Sequence, residues 1–190
     1  VSPRAAALLA ACAGAGALLS PAAHADGGFA AVGAGRGGFE TRCDGDACDR
    51  RDTGFRVALG WEAASHWTVE AVYLHPGRFV AGDVTSSGTP FHGRAELTGW
   101  GATAGYALPA GPVVLSARAG LASLKADFTP GPAPASAGGR TTTQFLAGLG
   151  ARWAVAPHVA LRVDWDHSRA RINRFAGDVN LVSVGLQFGF

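Results

Sequence analysis

The most regular feature of the chain is an alternation with a period of two. Phe55, Val57, Leu59 and Trp61 share one parity, and Arg56, Ala58, Gly60 and Glu62 share the other. A β-strand turns successive side chains to opposite faces, so this segment predicts a strand with one greasy and one polar face. The pattern returns along the chain. Trp67, Val69, Ala71 and Tyr73 oppose Thr68, Glu70, Val72 and Leu74. Val113, Leu115, Ala117, Ala119 and Leu121 oppose Val114, Ser116, Arg118, Gly120 and Ala122. Phe145, Ala147, Leu149, Ala151 and Trp153 oppose Gln144, Leu146, Gly148, Gly150 and Arg152. Val159, Leu161, Val163 and Trp165 oppose Ala160, Arg162, Asp164 and Asp166, and Val182, Val184, Leu186, Phe188 and Phe190 oppose Ser183, Gly185, Gln187 and Gly189.

Two further strands carry less pattern. One lies near residues 28–36, where Gly and Ala leave the phase undetermined. Another lies near 97–108, with Trp100, Ala102, Ala104 and Tyr106 as its apolar face. Leu97 is out of phase with that face, so a bulge or a later strand start is expected there. Between strands, short connections (near 63–66, 109–112 and 155–157) alternate with long ones (37–52, 75–95, 125–141 and 167–177). The long connections collect most of the Pro, Asp and Ser. Strict alternation of short and long connections predicts an all-β, eight-stranded antiparallel up-and-down transmembrane β-barrel, with both termini on the periplasmic side.

A soluble carrier barrel has the same period but turns its apolar face inward. Composition separates the two. Of 190 residues 16% are charged and 28 are Gly, and the polar parity holds small residues with isolated charges. That suits a narrow, filled lumen. Aromatic residues gather at strand ends: Trp61, Trp67 and Trp153 beside short turns, Tyr73 and Trp165 toward long ones. They are expected to form aromatic girdles at the two membrane interfaces. The net charge of +2 is too small to suggest a nucleic-acid partner.

The N-terminus reads as a signal peptide. Arg4 supplies a positive charge, residues 5–19 are apolar, Pro21 breaks the run, and Ala23-His24-Ala25 is a cleavage site. Cleavage after Ala25 makes residues 1–25 the signal and 26–190 the barrel, exported to the outer membrane of a Gram-negative-type cell. A transmembrane helix is one alternative. Leu9-Ala10-Ala11-Cys12 offers another, a lipidated Cys12, but apolar character continues well beyond Cys12. Cys43 and Cys48 would then be the cysteines of the mature chain, and an exported compartment favours a disulfide between them. Two thiolates without a nearby His make no structural zinc site.

The chain closes on Phe190, with Phe188, Leu186, Val184 and Val182 alternating behind it. A terminal aromatic in this setting resembles the signal by which the barrel-assembly machinery recognises outer-membrane proteins. The stretch from Asp49 to Trp61, with its Asp52-Thr53-Gly54 entry and Gly60-Trp61 end, followed by Trp67 to Leu74 with Glu70 and Tyr73, resembles the second hairpin of the OmpA-like transmembrane domain. Small barrels of the OmpW-like, opacity-type and Ail-like kinds share these features. The resemblance implies a small outer-membrane barrel, inserted as a monomer among outer-membrane lipids and lipopolysaccharide. The peptidoglycan-binding domain of full OmpA proteins is not expected, so a cell-wall tether is not carried over.

Candidate chemistry lies on the polar parity. Arg56, Glu70, Arg118, Arg152, Arg162 and Asp164 are expected to form lumen ion pairs, because buried charge must be paired to be tolerable. A hairpin centred near Ala64 would set Glu70 across from Ala58, diagonal to Arg56. Solute passage is not favoured, because eight strands leave room only for side chains. The expected role is a structural or interaction barrel whose outer loops meet envelope or host components, with a narrow porin as the alternative. A lipid A-modifying enzyme ranks below both. His167 and Ser168 resemble the His-Ser region of a lipid A deacylase family, but they are adjacent, and neighbours on a strand face opposite ways. No catalytic residue, cofactor or metal site is therefore expected. Arg169, Arg171 and Arg174 fall in the last long connection, where lipopolysaccharide headgroups or plain solvent are equally good partners.

Overall fold

The structure is a computed structural model that describes residues 27–40, 51–84, 90–130, 138–172 and 175–190. Eight strands follow in chain order: β1 (Gly27–Glu40), β2 (Arg51–Glu62), β3 (Trp67–Val84), β4 (Pro90–Ala110), β5 (Val113–Pro130), β6 (Gly138–Ala156), β7 (Val159–Ile172) and β8 (Phe175–Gly189). Each pairs with its chain neighbours in antiparallel sense, and β8 pairs with β1, so the sheet closes into a barrel. Closure removes the unpaired edges that hydrocarbon cannot satisfy. Among the described residues no helix is long and apolar enough to cross a membrane. The signal peptide, Cys12 and the Cys43–Cys48 pair lie outside the described residues.

The apolar parity faces out. Val32, Leu59, Val69, Leu121, Leu149 and Val184 are exposed on the outer wall, and all five Trp of the chain lie on it, 40–68% exposed. The polar parity faces in, with Arg56, Glu70, Arg118, Arg162 and Asp164 buried. The structure also settles the phase of β1: Phe29, Ala31 and Phe39 are buried inside, and Val32 is exposed outside.

Three expectations need correction. The long connections are shorter than the sequence suggested, because β3 and β4 pair as far as Val84 and Pro90, and β5 and β6 as far as Phe128 and Gly138. Gly and Pro signalled loops there, yet backbone pairing needs no particular side chain. Leu97 is in phase with the lumen, and β4 starts earlier than expected, with no register shift against β5. The irregularity lies across the ladder on β3, where Leu74 pairs with Gly99 and Gly77 with Leu97. One extra residue on β3 makes a β-bulge at His75-Pro76, with Gly77 at φ 116°. The bulge flips parity, so both Leu74 and Phe79 enter the lumen.

The third correction is the β2–β3 register. Glu70 pairs with Gly60, and Ala58 with Val72. The turn is closed by the His66 N–H donating to Ala63 C=O (2.8 Å), with His66 itself left-handed at φ 68°. That turn centres on Ser65. Moving the centre by one residue moves every pair by two.

Candidate functional site

The lumen holds two stacked layers of different chemistry. Toward the short turns and the barrel's middle sits an ion network. Arg118, from β5, reaches across to β7: its Nη1 donates to Asp164 Oδ1 and its Nη2 to Asp166 Oδ1, each at 2.7 Å. Arg162 donates through Nε to Asp164 Oδ2 and through Nη2 to Glu70 Oε1, each at 2.8 Å, and through Nη1 to Gln187 Oε1 at 3.0 Å. Arg56 donates to Glu70, and its Nε lies 3.1 Å from Asp166 Oδ2. Three guanidinium groups therefore meet three carboxylates, with charge balanced. Nearer the short turns Arg152 of β6 clasps Glu62 of β2 through both terminal guanidinium nitrogens, Nη2 to Oε1 at 2.6 Å. Bidentate pairs of this kind are the strong form of the interaction.

Small residues make the network possible. A Cβ at Gly148 would lie 2.7 Å from Arg118 Nε, and one at Gly150 would lie 3.0 Å from Asp164 Oδ1. The two glycines are the floor on which the Arg118 side chain lies. Phe29 faces Arg162 from β1, with the guanidinium carbon 5.6 Å from the ring centroid.

Toward the long connections the lumen turns apolar. Phe39, Val72, Leu74, Phe79, Leu97, Leu124, Leu146, Val179 and Leu181 form one buried cluster. Phe39 and Phe79 pack with ring centroids 5.7 Å apart. On β3, β5 and β8 these residues lie on the long-connection side of the network's residues, which in this barrel type is the outer side.

All six charges expected in the lumen lie there, and the structure joins them to Asp166, Glu62 and Gln187, which sequence reasoning had not assigned. Their inward parity was the available signal, since Asp166 and Glu62 stand two residues from assigned or polar-face positions. The outer wall likewise carries more aromatic residues than the five named. Trp61, Trp67, Trp153 and Trp165 face outward as expected, and Tyr73 packs on Trp100 (4.7 Å) and Phe55 (5.7 Å). Near the short turns Trp67 meets Tyr106 edge-on at 5.6 Å. Phe188 faces outward, and the Phe190 N–H donates to Gly28 C=O at 2.9 Å, which ties the last residue to β1.

His167 and Ser168 do not meet. His167 Nδ1 lies 3.0 Å from Asn180 Oδ1 on the outer wall, and buried Ser168 Oγ donates to the Phe145 carbonyl at 2.9 Å. Arg169 pairs with Asp178 at 3.0 Å, and Arg174 lies outside the described residues. Among the described residues no group of three or more His, Cys, Asp or Glu is placed to hold a metal.

A closed barrel with a greasy outer wall, aromatic residues at both ends and charges neutralised inside is an integral membrane barrel. The sequence pattern of the outer membrane protein beta-barrel domain matches residues 5–190, and the chain belongs to that family. Its fold is shared with neisserial surface protein A, at 18% identity and a TM-score of 0.63 over 86% of this chain and 97% of that one. A major outer membrane protein from Thermus thermophilus is similar at 16% identity and a TM-score of 0.55, covering 88% of this chain and 100% of that one. The Yersinia pestis attachment invasion locus protein Ail is similar at 17% identity and a TM-score of 0.51, covering 85% of this chain and 99% of that one. No curated protein sequence matches the chain. The protein is thus a small eight-stranded outer-membrane β-barrel.

Proposed function

We propose that this protein is a non-conducting structural and interaction barrel, whose work is done by the part that rises beyond the outer leaflet. The supporting observation is the filling of the lumen. A balanced ion network blocks its middle, and above it an apolar cluster packs shut, with Leu97 and Leu146 at most 1% exposed. An ion crossing that cluster would shed much of its water against hydrocarbon, at a large cost. A catalytic role is not part of this reading, because His167 and Ser168 point to opposite faces. Its surroundings are outer-membrane lipids and lipopolysaccharide, and the Phe190 end is the feature the barrel-assembly machinery would read.

The test is electrical. Purified protein in planar bilayers should give no steady conductance above the lipid background, and proteoliposomes should not swell in small sugars. A large, steady conductance would favour the narrow-porin alternative. Simultaneous Leu97→Ala and Leu146→Ala substitution should raise leak where Leu121→Ala, on the outer wall, does not.

A further inference from the structure

Arg36 stands on the lipid-facing parity of β1. The outward residues of that strand run Ala30, Val32, Ala34 and Arg36 from the short-turn side toward the long connections, and Arg36 is exposed. In register it lies between Thr53 of β2 and Val182 of β8, and Val182 in turn pairs with Trp165 of β7. The row that carries an aromatic residue of the outer interface therefore also carries a guanidinium. A charge on that wall is costly in hydrocarbon and tolerable at the interface, where an anion can meet it.

Three other outward cations bring their own anion. Arg78 has Glu96 at 3.1 Å, Lys125 has Asp127 at 2.8 Å and Arg169 has Asp178 at 3.0 Å. Among the described residues Arg36 has no carboxylate partner. Two uncharged donors flank it. Thr53 is exposed beside it. Asn180 lies one pair further out on β8, opposite Gly38, on a diagonal that a long side chain spans. Its Oδ1 lies 3.0 Å from His167 Nδ1, and that contact leaves the Asn180 amide nitrogen to donate elsewhere.

Below Arg36 the wall is low. Ala34 lies between Phe55 and Val184, and Ala30 between Leu59 and Phe188. All four neighbours are exposed to the outside. The two alanines thus mark a shallow furrow along β1, with bulkier flanks on β2 and β8 and the guanidinium at its outer end.

We propose that β1 and its flanks hold one phosphomonoester-bearing glycolipid of the outer leaflet. The phosphate sits on Arg36, Thr53 and Asn180, and one acyl chain lies along Ala34 and Ala30. A guanidinium grips two oxygens of such a group, and the hydroxyl and amide take the third, which a carboxylate or a phosphodiester does not offer. Depth selects the source, because an anion at this height on a lipid-facing wall belongs to a headgroup of that leaflet. The inference rests on the outer-membrane setting proposed above and adds to it a lipid held at one place.

Native mass spectrometry of the whole protein, released from mixed micelles, tests this with four probes: bisphosphorylated lipid A, dephosphorylated lipid A, phosphatidylglycerol and inorganic phosphate. One bisphosphorylated lipid A should remain bound, with the other two lipids retained at least about tenfold less and inorganic phosphate not retained. Arg36→Ala should cut retention about tenfold, whereas Lys125→Ala, which removes a cation that has its own carboxylate, should not. Ala34→Trp fills the furrow while keeping Arg36 and should also weaken retention; Ala104→Trp, on the outer wall of β4, should not. Heat-modifiable gel mobility shows that each variant is folded. Retention of phosphatidylglycerol or dephosphorylated lipid A equal to that of lipid A, retention of inorganic phosphate alone, or an indifferent Arg36→Ala variant would overturn the proposal. Loss of lipid A from a barrel that stays closed sinks this inference alone, and a conducting barrel that keeps its lipid A sinks the closed-lumen reading alone.

Discussion

Arg118 and Asp166 meet at 2.7 Å across the barrel interior, from strands that are not neighbours in the sheet and from positions 48 residues apart. Both are buried, and Arg56 Nε also lies 3.1 Å from Asp166 Oδ2. Arg118 contacts both Asp164 and Asp166 at 2.7 Å, closer than Arg56, which lies 3.7 Å from Asp164 and 3.1 Å from Asp166. Arg118→Met should therefore leave two buried carboxylates short of a partner and cost about 3–5 kcal/mol. Urea unfolding in vesicles, followed by the heat-modifiable gel shift, measures it. A cost under about 1 kcal/mol, the usual worth of an exposed pair, would mean that the lumen is wet enough to screen these charges.

The Arg152–Glu62 pair lends itself to a double-mutant cycle, because it shares no partner with the other three arginines. Arg152→Met alone strands the Glu62 carboxylate, whose side chain is 7% exposed, and should cost about 3 kcal/mol. Adding Glu62→Leu should restore most of that, because two apolar groups in place of a buried pair are close to neutral. If the double variant is as unstable as the sum of the singles, the pair is not an isolated unit.

Acid should loosen the β2–β3 seam. The Arg78 and Thr53 N–H groups donate to Asp52, above the apolar belt, and hold its carboxyl below the usual carboxylate range. A carboxyl with a lowered folded-state pKa stabilises above its unfolded value, 3.8, and that stabilisation fades as pH falls through the folded value. Asp52→Ala should thus be less stable than the parent at neutral pH, with the gap closing below about pH 4. Unfolding midpoints across that range decide it; a gap that is constant with pH contradicts the assignment.

Every Trp faces outward, Trp100 most of all at 68%. Lipids brominated along their acyl chains should quench most of the fluorescence of the inserted protein, and iodide in the buffer should quench little. Trp100→Phe should remove the largest share of the lipid-quenched signal. Strong iodide quenching with weak bromolipid quenching would reverse inside and outside.

Alternation and connection lengths were enough to establish strands, their number, their sidedness and the membrane barrel, because a period of two is a local property that a lipid-facing wall imposes on each strand separately. The sign and place of the lumen charges followed for the same reason, so Arg56, Glu70, Arg118, Arg152, Arg162 and Asp164 were legible one by one. What they touch was not. Partners such as Arg118–Asp166 and Arg152–Glu62 sit on strands distant in sequence, and curvature and register alone bring them together. Register depended on the turn at His66 and the bulge at His75-Pro76, where a single residue shifts every later pair. The outward reach of β3 to β6 was likewise a tertiary decision. Backbone hydrogen bonds form wherever a neighbouring strand runs alongside, whatever side chains the chain carries there.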